Sequence, residues 1–419
     1  MLFERPETGD RALLLQVELR RRKNPQASEF AELAKSAEIE VVGTVVAKRD
    51  MPHPRWFVGE GKLDEIRACA ASGEISLVLV NHELTAGQQR NLEHELDCRV
   101  ITRTELILTI FADRARSHEG QLQVELAQLK HAQSRLVRGW THLDRQKGGI
   151  GMRGAGEKQI ELDQRMLSER IKATEKKLGS VAQRRAQSRR GRNRQDTPTV
   201  SLVGYTNAGK SSIFNRLTNA GVYAEDQLFA TLDPTLRRLV VPGSGEIILG
   251  DTVGFVDQLP HTLVEAFKST LEEVAHSALL LHVVDIADPV WMDRIEQVNQ
   301  VLAAIGAADI PNIIVYNKID LLVGVEMPAP CPNQCSVSAH TGYGFDALTA
   351  QVGKKLGVFA PHKVVLEPQD GQTRAWLYNT GAVLGEHVCE NGSLELTVQA
   401  DQKLLGRLQQ RKAVEVKTG

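Results

Sequence analysis

Nine residues, Gly204–Ser212 (GYTNAGKSS), combine glycines, a lysine and paired hydroxyls at a spacing that suits phosphate chemistry. Gly204, Gly209, Lys210 and Ser211 fit the pattern G-x-x-x-x-G-K-[ST], directly behind the apolar run TVSLV and ahead of the helical pattern IFNRLTNA. Such a turn lets backbone N–H groups of Tyr205, Thr206, Asn207, Ala208 and Gly209 wrap phosphate oxygens, with Ser212 closing the first helical turn. Lys210 supplies a point charge to the phosphates, and Ser211 offers a hydroxyl to Mg²⁺.

The base that such a loop would serve is decided further along, at Asn317-Lys318-Ile319-Asp320 behind the apolar run IIVY. The Asp320 carboxylate can accept from both the ring N–H and the exocyclic amine of guanine, a pairing that adenine does not offer. Ser338-Ala339, after the run CSV, is placed for a backbone N–H to meet the guanine oxygen. Asp251-Thr252-Val253-Gly254 follows the strand-like EIILG, so Asp251 is expected beside the phosphate loop as the carboxylate anchor of Mg²⁺, and Gly254 as the backbone donor to the terminal phosphate. Between them lies FATLDPT, in which Thr231 is the expected Mg²⁺ ligand and Thr235 the alternative. Lys210, Thr231 and Gly254 are thus the expected catalytic groups. Phe255 stands where many small GTPases carry a water-orienting glutamine, which implies slow intrinsic hydrolysis or a completing partner.

The rest of the chain must position these residues. From Ala12 to about Ala115 apolar runs (ALLLQVEL, IEVVGTVVA, ISLVLV, CRVI) alternate with helical patterns, which predicts an N-terminal α/β domain with a largely parallel sheet over 1–115. Within it, Gly59-Glu60-Gly61-Lys62 reads as a turn leading into a helix. Over 116–196, leucines at 122, 126, 129 and 136, then Ile160, Leu167, Ile171 and Leu178, recur at helical spacing and predict a helical hairpin. Its tip, GGIGMRGAGEK (Gly148–Lys158), is expected to be non-helical, and its far end carries Arg184, Arg185, Arg189, Arg190, Arg192 and Arg194 without an acid. Residues 197–360 read as a nucleotide-binding α/β domain of buried parallel strands, and 361–419 as a small α+β appendage of alternating segments VVLEPQ, TRAWLYNT, AVLGEHVCE and SLELTVQ.

The 419 residues are 42% hydrophobic and 25% charged with a formal net charge of -1, so overall charge singles out no partner. No apolar run reaches the roughly 20 residues of a membrane span, the N-terminus lacks a signal-peptide core, and the five scattered cysteines suit reduced thiols; a cytoplasmic monomer without membrane insertion is expected.

GYTNAGKS, FATLDPT, DTVGF, NKID and SA resemble the five guanine-nucleotide motifs of the translation-factor-related GTPases. FVGEGKLDEI, SHEGQLQVELAQLKH and GGIGMRGAGEKQIELDQR resemble the N-terminal region of the HflX family, so the resemblance covers nearly the whole chain. It implies a GTP-hydrolysing switch that binds the large ribosomal subunit and its RNA and helps to dissociate stalled or idle ribosomes. It departs from the family pattern at Met152, Ala155 and Lys158, where Thr, Pro and Thr are usual. Asn207 matches the asparagine of resembling GTPases that use K⁺, against the alternative that it serves the turn's own hydrogen bonding. Lys147, Arg153 and Lys158 at the hairpin tip, with the arginine run, are the expected RNA contacts. A GTP-gated adaptor for a membrane or protease partner is the alternative function, with the arginines then a solvated linker.

Overall fold

The computed structural model describes the chain apart from residues 1–9, 21–25, 72–74, 140–154, 195–196, 220–227, 230–231, 242–244, 257–272, 323–330, 357–361, 368–369, 381, 390–391, 399–406, 409–413 and 419. Tertiary contacts divide it into two units: Met1–Arg185 with Tyr223–Asp233 and Val253–Thr270, and Ala186–Val222 with Pro234–Thr252 and Leu271–Gly419.

The first unit begins with β1 (Arg11–Leu19), α1 (Ala27–Ser36), β2 (Glu40–Arg49), α2 (Glu60–Cys69), β3 (Leu77–Val80), α3 (Ala86–Leu96), β4 (Arg99–Thr102) and α4 (Arg103–Arg114). The strands form a wholly parallel sheet in the order β2-β1-β3-β4. Central β1 is buried without a break from Ala12 to Val17, as a parallel strand covered on both faces requires, whereas edge strand β2 is exposed at alternate positions along much of its length. Helices α3 and α4 start where the sequence supplies capping boxes, Thr85 with Gln88 and Thr102 with Glu105. The Gly59–Lys62 turn does lead into a helix, α2, which starts at Glu60.

Two long helices follow, α5 (His118–Gly139) and α6 (Ala155–Arg194). They share a seam of Leu126, Leu129, Leu167 and Ile171, flanked by the Arg170–Glu125 and Lys130–Glu175 ion pairs at 3.1 and 3.3 Å. Helix α6 corrects one expectation, the non-helical tip. Its first residues, Ala155–Lys158, are helical, because Ala, Glu and Lys are strong helix formers and only Gly156 opposes them. The arginine run lies on the same helix as far as Arg194. The remainder of the expected tip, Gly148–Gly154, falls outside the described residues.

Helix α5 is tied to the sheet domain through Glu105, the capping residue of α4. Its carboxylate meets the Arg135 guanidinium and lies 3.7 Å from the His131 imidazole, both on α5. Burial alone would raise the Glu105 pKa, but the bonds and charges from His131, Arg135 and the Thr102 backbone outweigh it and hold the group at about 2.

In the second unit β5 (Thr199–Gly204), α7 (Lys210–Thr218), β6 (Thr235–Val241), β7 (Gly245–Asp251), β8 (Leu279–Asp285), α8 (Trp291–Ala304), β9 (Asn312–Asn317), β10 (Gln334–Ser336) and α9 (Phe345–Leu356) build a six-stranded sheet in the order β10-β9-β8-β5-β7-β6. All pairings are parallel except that of β6 with β7. Val200, Leu202, Leu249, Leu281, Val283, Ile313 and Val315 fill its core. The chain ends in β11 (His362–Leu366), α10 (Gly371–Asn379), β12 (Val383–Val388), β13 (Leu394–Val398) and β14 (Val414–Thr418), an antiparallel sheet ordered β12-β13-β11-β14. TRAWLYNT, one of the alternating tail segments, forms most of α10: Asp370 accepts the Thr373 N–H at 3.2 Å, and Leu377 enters the core with Val364, Leu366 and Leu396. No helix among the described residues is long and apolar enough to cross a membrane.

Candidate nucleotide-binding site

The phosphate loop sits at the carboxyl end of β5, between β8 and β7, the position where parallel sheets place ligands. Gly204 ends the strand with φ of +149°, and a Cβ there would lie 2.2 Å from the Val283 carbonyl of β8. Asn207 turns the chain at φ of +59°, and Gly209 adopts φ of +90° ahead of α7. A Cβ on Gly209 would come 2.2 Å from Asn317 Nδ2. Glycine is thus required twice, by backbone angle and by close approach.

Lys210 is 6% exposed, and its Nζ donates to the Gly204 and Tyr205 carbonyls at 3.2 and 2.7 Å. Burial pushes its pKa down to about 8 against the pull of Asp251. His282, buried on β8, is held neutral, down at about 4, by burial and then by the Lys210 charge. Ser211 Oγ donates to Asp251 Oδ2 at 2.7 Å, so the hydroxyl and the carboxylate expected to share a cation are adjacent. Their oxygen donors suit Mg²⁺, which takes one or two protein ligands and keeps phosphates and waters for the rest. Thr252 Oγ1 donates to the Leu202 carbonyl at 2.6 Å and fixes the end of β7 against β5.

At the other end of the loop Asn317 acts as a staple: its Nδ2 donates to the Ala208 carbonyl at 2.9 Å, and its Oδ1 accepts the Ala339 N–H at 3.0 Å. One side chain therefore joins the phosphate loop, the NKID turn and the Ser338-Ala339 turn. Ser338 Oγ donates to Asp320 Oδ1 at 2.5 Å and accepts the Thr341 N–H at 3.0 Å, which orients the carboxylate expected to read the base. Lys318, at φ of +65°, pairs with Asp285 at 2.7 Å.

The structure brings Gly204–Ser212, Asp251, Asn317, Asp320, Ser338 and Ala339 together within the second unit. Gly254 and Phe255 belong by their contacts to the first unit, where Phe255 is 3% exposed. Thr231 lies outside the described residues, while Thr235 opens β6 in register with Asp251. Among the described residues no cluster of three His, Cys, Asp or Glu forms a metal cage, and no two cysteines are joined in a disulfide.

Two features escaped the sequence. The Arg294 guanidinium stacks 3.9 Å over the Tyr205 ring and points Nε at Asp288 at 3.4 Å, so α8 clamps the start of the phosphate loop. In the first unit, Asp233 completes the N-terminus of α5. Ser117 Oγ accepts the Gly120 N–H at 2.9 Å, and the Asp233 carboxylate accepts the Ser117 and Arg116 N–H groups at 2.7 and 3.0 Å and the Ser117 hydroxyl. A capping box normally draws that return bond from a Glu or Gln three residues into the helix, but the position is Gly120, whose Cβ would lie 2.4 Å from Asp233 Oδ1. The same segment is held by the Leu228 N–H on Ser36 Oγ at 3.0 Å and by Phe229, at φ of +58°, packed edge-on against Phe111 at 4.6 Å. The glycine at the third helical position was the signal available.

A six-stranded, mainly parallel sheet with a glycine-rich loop, a lysine at its helix start and an Asn-Lys-x-Asp turn whose aspartate is held by a serine defines the class of guanine-nucleotide-binding GTPases. Family models match along the chain: a GTP-binding GTPase N-terminal region at 24–112, a GTP-binding GTPase middle region at 114–192, a 50S ribosome-binding GTPase at 199–318 and an HflX C-terminal domain at 325–417. The chain is 49% identical to GTPase HflX of Escherichia coli strain K12, with 95% of each chain covered, and 45% identical to GTPase HflX of Magnetococcus marinus, with 99% of each covered. A solved GTP-binding protein of Sulfolobus solfataricus in complex with GDP is 23% identical over 83% of this chain and 98% of that one, with a TM-score of 0.45. The chain belongs to the HflX family of GTPases.

Proposed function

We propose that the protein is a GTP-driven switch of the large ribosomal subunit that promotes dissociation of stalled or idle ribosomes. The observation that carries the reading is the match of 199–318 to a 50S ribosome-binding GTPase, over the segment in which Asn317 staples the phosphate loop to the base reader. In this reading the backbone of residues 204–209 cradles the phosphates, Lys210 neutralises their terminal charge, and Asp320, aimed by Ser338, selects guanine. Ser211, Thr231 and Asp251 hold Mg²⁺, which supplies charge neutralisation at the phosphates, and Gly254 donates to the terminal one. Asn207 is the residue that would draw a K⁺ ion to the same charge. Phe255 offers no hydrogen bond to an attacking water, so turnover is slow until the ribosome completes the site. The arginine run over 184–194 and the cations Lys147, Arg153 and Lys158 supply the charge that binds ribosomal RNA, and the protein works as a cytoplasmic monomer with four parts, 1–115, 116–196, 197–360 and 361–419.

Co-sedimentation with purified large subunits tests this. The protein is expected in the pellet with a non-hydrolysable GTP analogue and in the supernatant with GDP, with binding that falls steeply as salt rises. Protein that stays in the supernatant with either nucleotide would favour the adaptor reading instead.

A further inference from the structure

Helix α7 carries Lys210 and Ser211 at its start, and its last turn holds a second cation, Arg216, to which none of the motif chemistry assigns a task. Arg216 is exposed, and among the described residues its bond is to a backbone carbonyl rather than to a carboxylate: Nη2 donates to the Thr341 oxygen at 3.1 Å. The turn it meets is shaped to receive it. Gly342 sits at φ of +89°, and a Cβ there would lie 2.0 Å from Arg216 Nη2 and 2.8 Å from the guanidinium carbon. A side chain at 342 would therefore displace the guanidinium as well as strain the backbone.

From Thr341 the contacts run on to the base turn. The Thr341 N–H donates to Ser338 Oγ at 3.0 Å, and Ser338 Oγ donates to Asp320 Oδ1 at 2.5 Å. The hydroxyl has one proton, so the bond it accepts from Thr341 leaves that proton for Asp320. Backbone bonds from the Gly342 N–H to the Ser338 carbonyl at 2.8 Å and from the Ser338 N–H to the Tyr343 carbonyl at 3.1 Å close the turn around these two residues. One helix thus carries the phosphate lysine at its start and braces the base turn near its end.

We infer that Arg216 is a positioning residue for guanine recognition, which acts through Thr341 and Ser338 to fix the orientation of the Asp320 carboxylate. The inference rests on Asp320 as the base reader. A carboxylate that accepts both the ring N–H and the exocyclic amine of guanine must lie in the plane of the base, whereas one that accepts a single bond tolerates rotation. Loosening Asp320 therefore costs a two-donor base more than a one-donor base. Hypoxanthine keeps the ring N–H and lacks the amine, so inosine diphosphate is the one-donor probe, with the same phosphates as GDP.

The test measures GDP and inosine diphosphate affinities of the full-length protein, Arg216→Met, Ser338→Ala and the double variant, with GTP turnover and melting temperature alongside. Methionine is a good helix former, so α7 is expected to persist. Arg216→Met is expected to weaken GDP about five-fold, the scale of one net hydrogen bond, and to leave inosine diphosphate within about two-fold. The KM for GTP should rise by a similar factor with kcat within about two-fold, as for a contact made equally in ground and transition states. Ser338→Ala is expected to narrow the preference for GDP at least as much, and the double variant no further, because both changes act through the same bonds. An unchanged preference for GDP over inosine diphosphate in Arg216→Met would overturn the inference. Equal losses for the two nucleotides would also overturn it, since a helix-end charge or a looser fold gives that result, and so would losses that add in the double variant. Failure of the base-reader reading is seen separately, because Asp320→Asn would then keep the parental GDP affinity.

Discussion

The phosphate loop of the second unit and the Asp233 segment of the first are both short irregular stretches held by side-chain bonds, but they are built by opposite rules. In the loop the shaping constraints are local, two glycines at positive φ with a strand end and a helix start within a few residues, and Asn317 and Arg294 add contacts from a distance. In the Asp233 segment the contacts seen among the described residues are distant in sequence, to Ser117, Arg116, Ser36 and Phe111. A locally determined turn repeats as a motif because the backbone can adopt it in only one way. A tertiary cap leaves no pattern, since any carboxylate brought to the helix end satisfies the same N–H groups.

The comparison predicts that changes in the loop affect ligand binding while changes at the cap affect folding. The largest effect is expected from Lys210→Ala. It should lower GTP affinity or turnover by about 100-fold or more, since the charge proposed to neutralise the phosphates is lost, and it should not lower the melting temperature, since desolvating that ammonium opposes folding. Nucleotide titration and thermal melting of one preparation read both quantities. Next, Asp320→Asn should weaken GTP about 100-fold and confer binding of xanthine nucleotides, because the amide leaves a guanine donor unmatched. Competition between GTP and xanthosine triphosphate measures the exchange, and undiminished GTP affinity would remove Asp320 from base reading.

The cap behaves differently. Asp233→Ala should cost about 1–2 kcal/mol of stability, as for loss of a helix cap, with GDP affinity within about two-fold. Combined with Ser117→Ala it should cost less than the sum, because both changes remove the same bonds. Denaturant melts of the single and double variants check this, and additive losses would break the assignment.

The smallest effect is in acid. Glu105 is held at about 2, below the range of a carboxylate in an unfolded chain, so its contribution to stability is complete above about pH 4.5 and disappears as pH falls toward 2. Glu105→Gln should flatten that part of the stability–pH curve, and an unchanged slope would show that the α4–α5 tie does not titrate.

What could be read in the sequence follows the same division. Gly204, Gly209, Lys210, Ser211 and Asp251 were legible because strand–turn–helix geometry fixes their spacing, and the structure pairs Ser211 with Asp251 as that geometry requires. The NKID and Ser338-Ala339 turns were legible as separate signals, but not the 2.5 Å bond that makes Ser338 the support of Asp320. The sheet of the N-terminal region was legible because β1 is apolar throughout its buried length. The start of α6 was not, because glycine content across the whole segment masked the helix-forming residues Ala155–Lys158. Arg294 over Tyr205 and the Glu105–Arg135 tie join residues far apart in the chain and carry no periodic signature.

The most direct measurement of the account is light scattering from whole ribosomes mixed with the full-length protein. With a non-hydrolysable GTP analogue the account predicts a fall in scattering as ribosomes part into subunits, no fall with GDP, and none with Lys210→Ala under either nucleotide. Scattering that stays constant with the analogue, or falls equally with GDP, would contradict it.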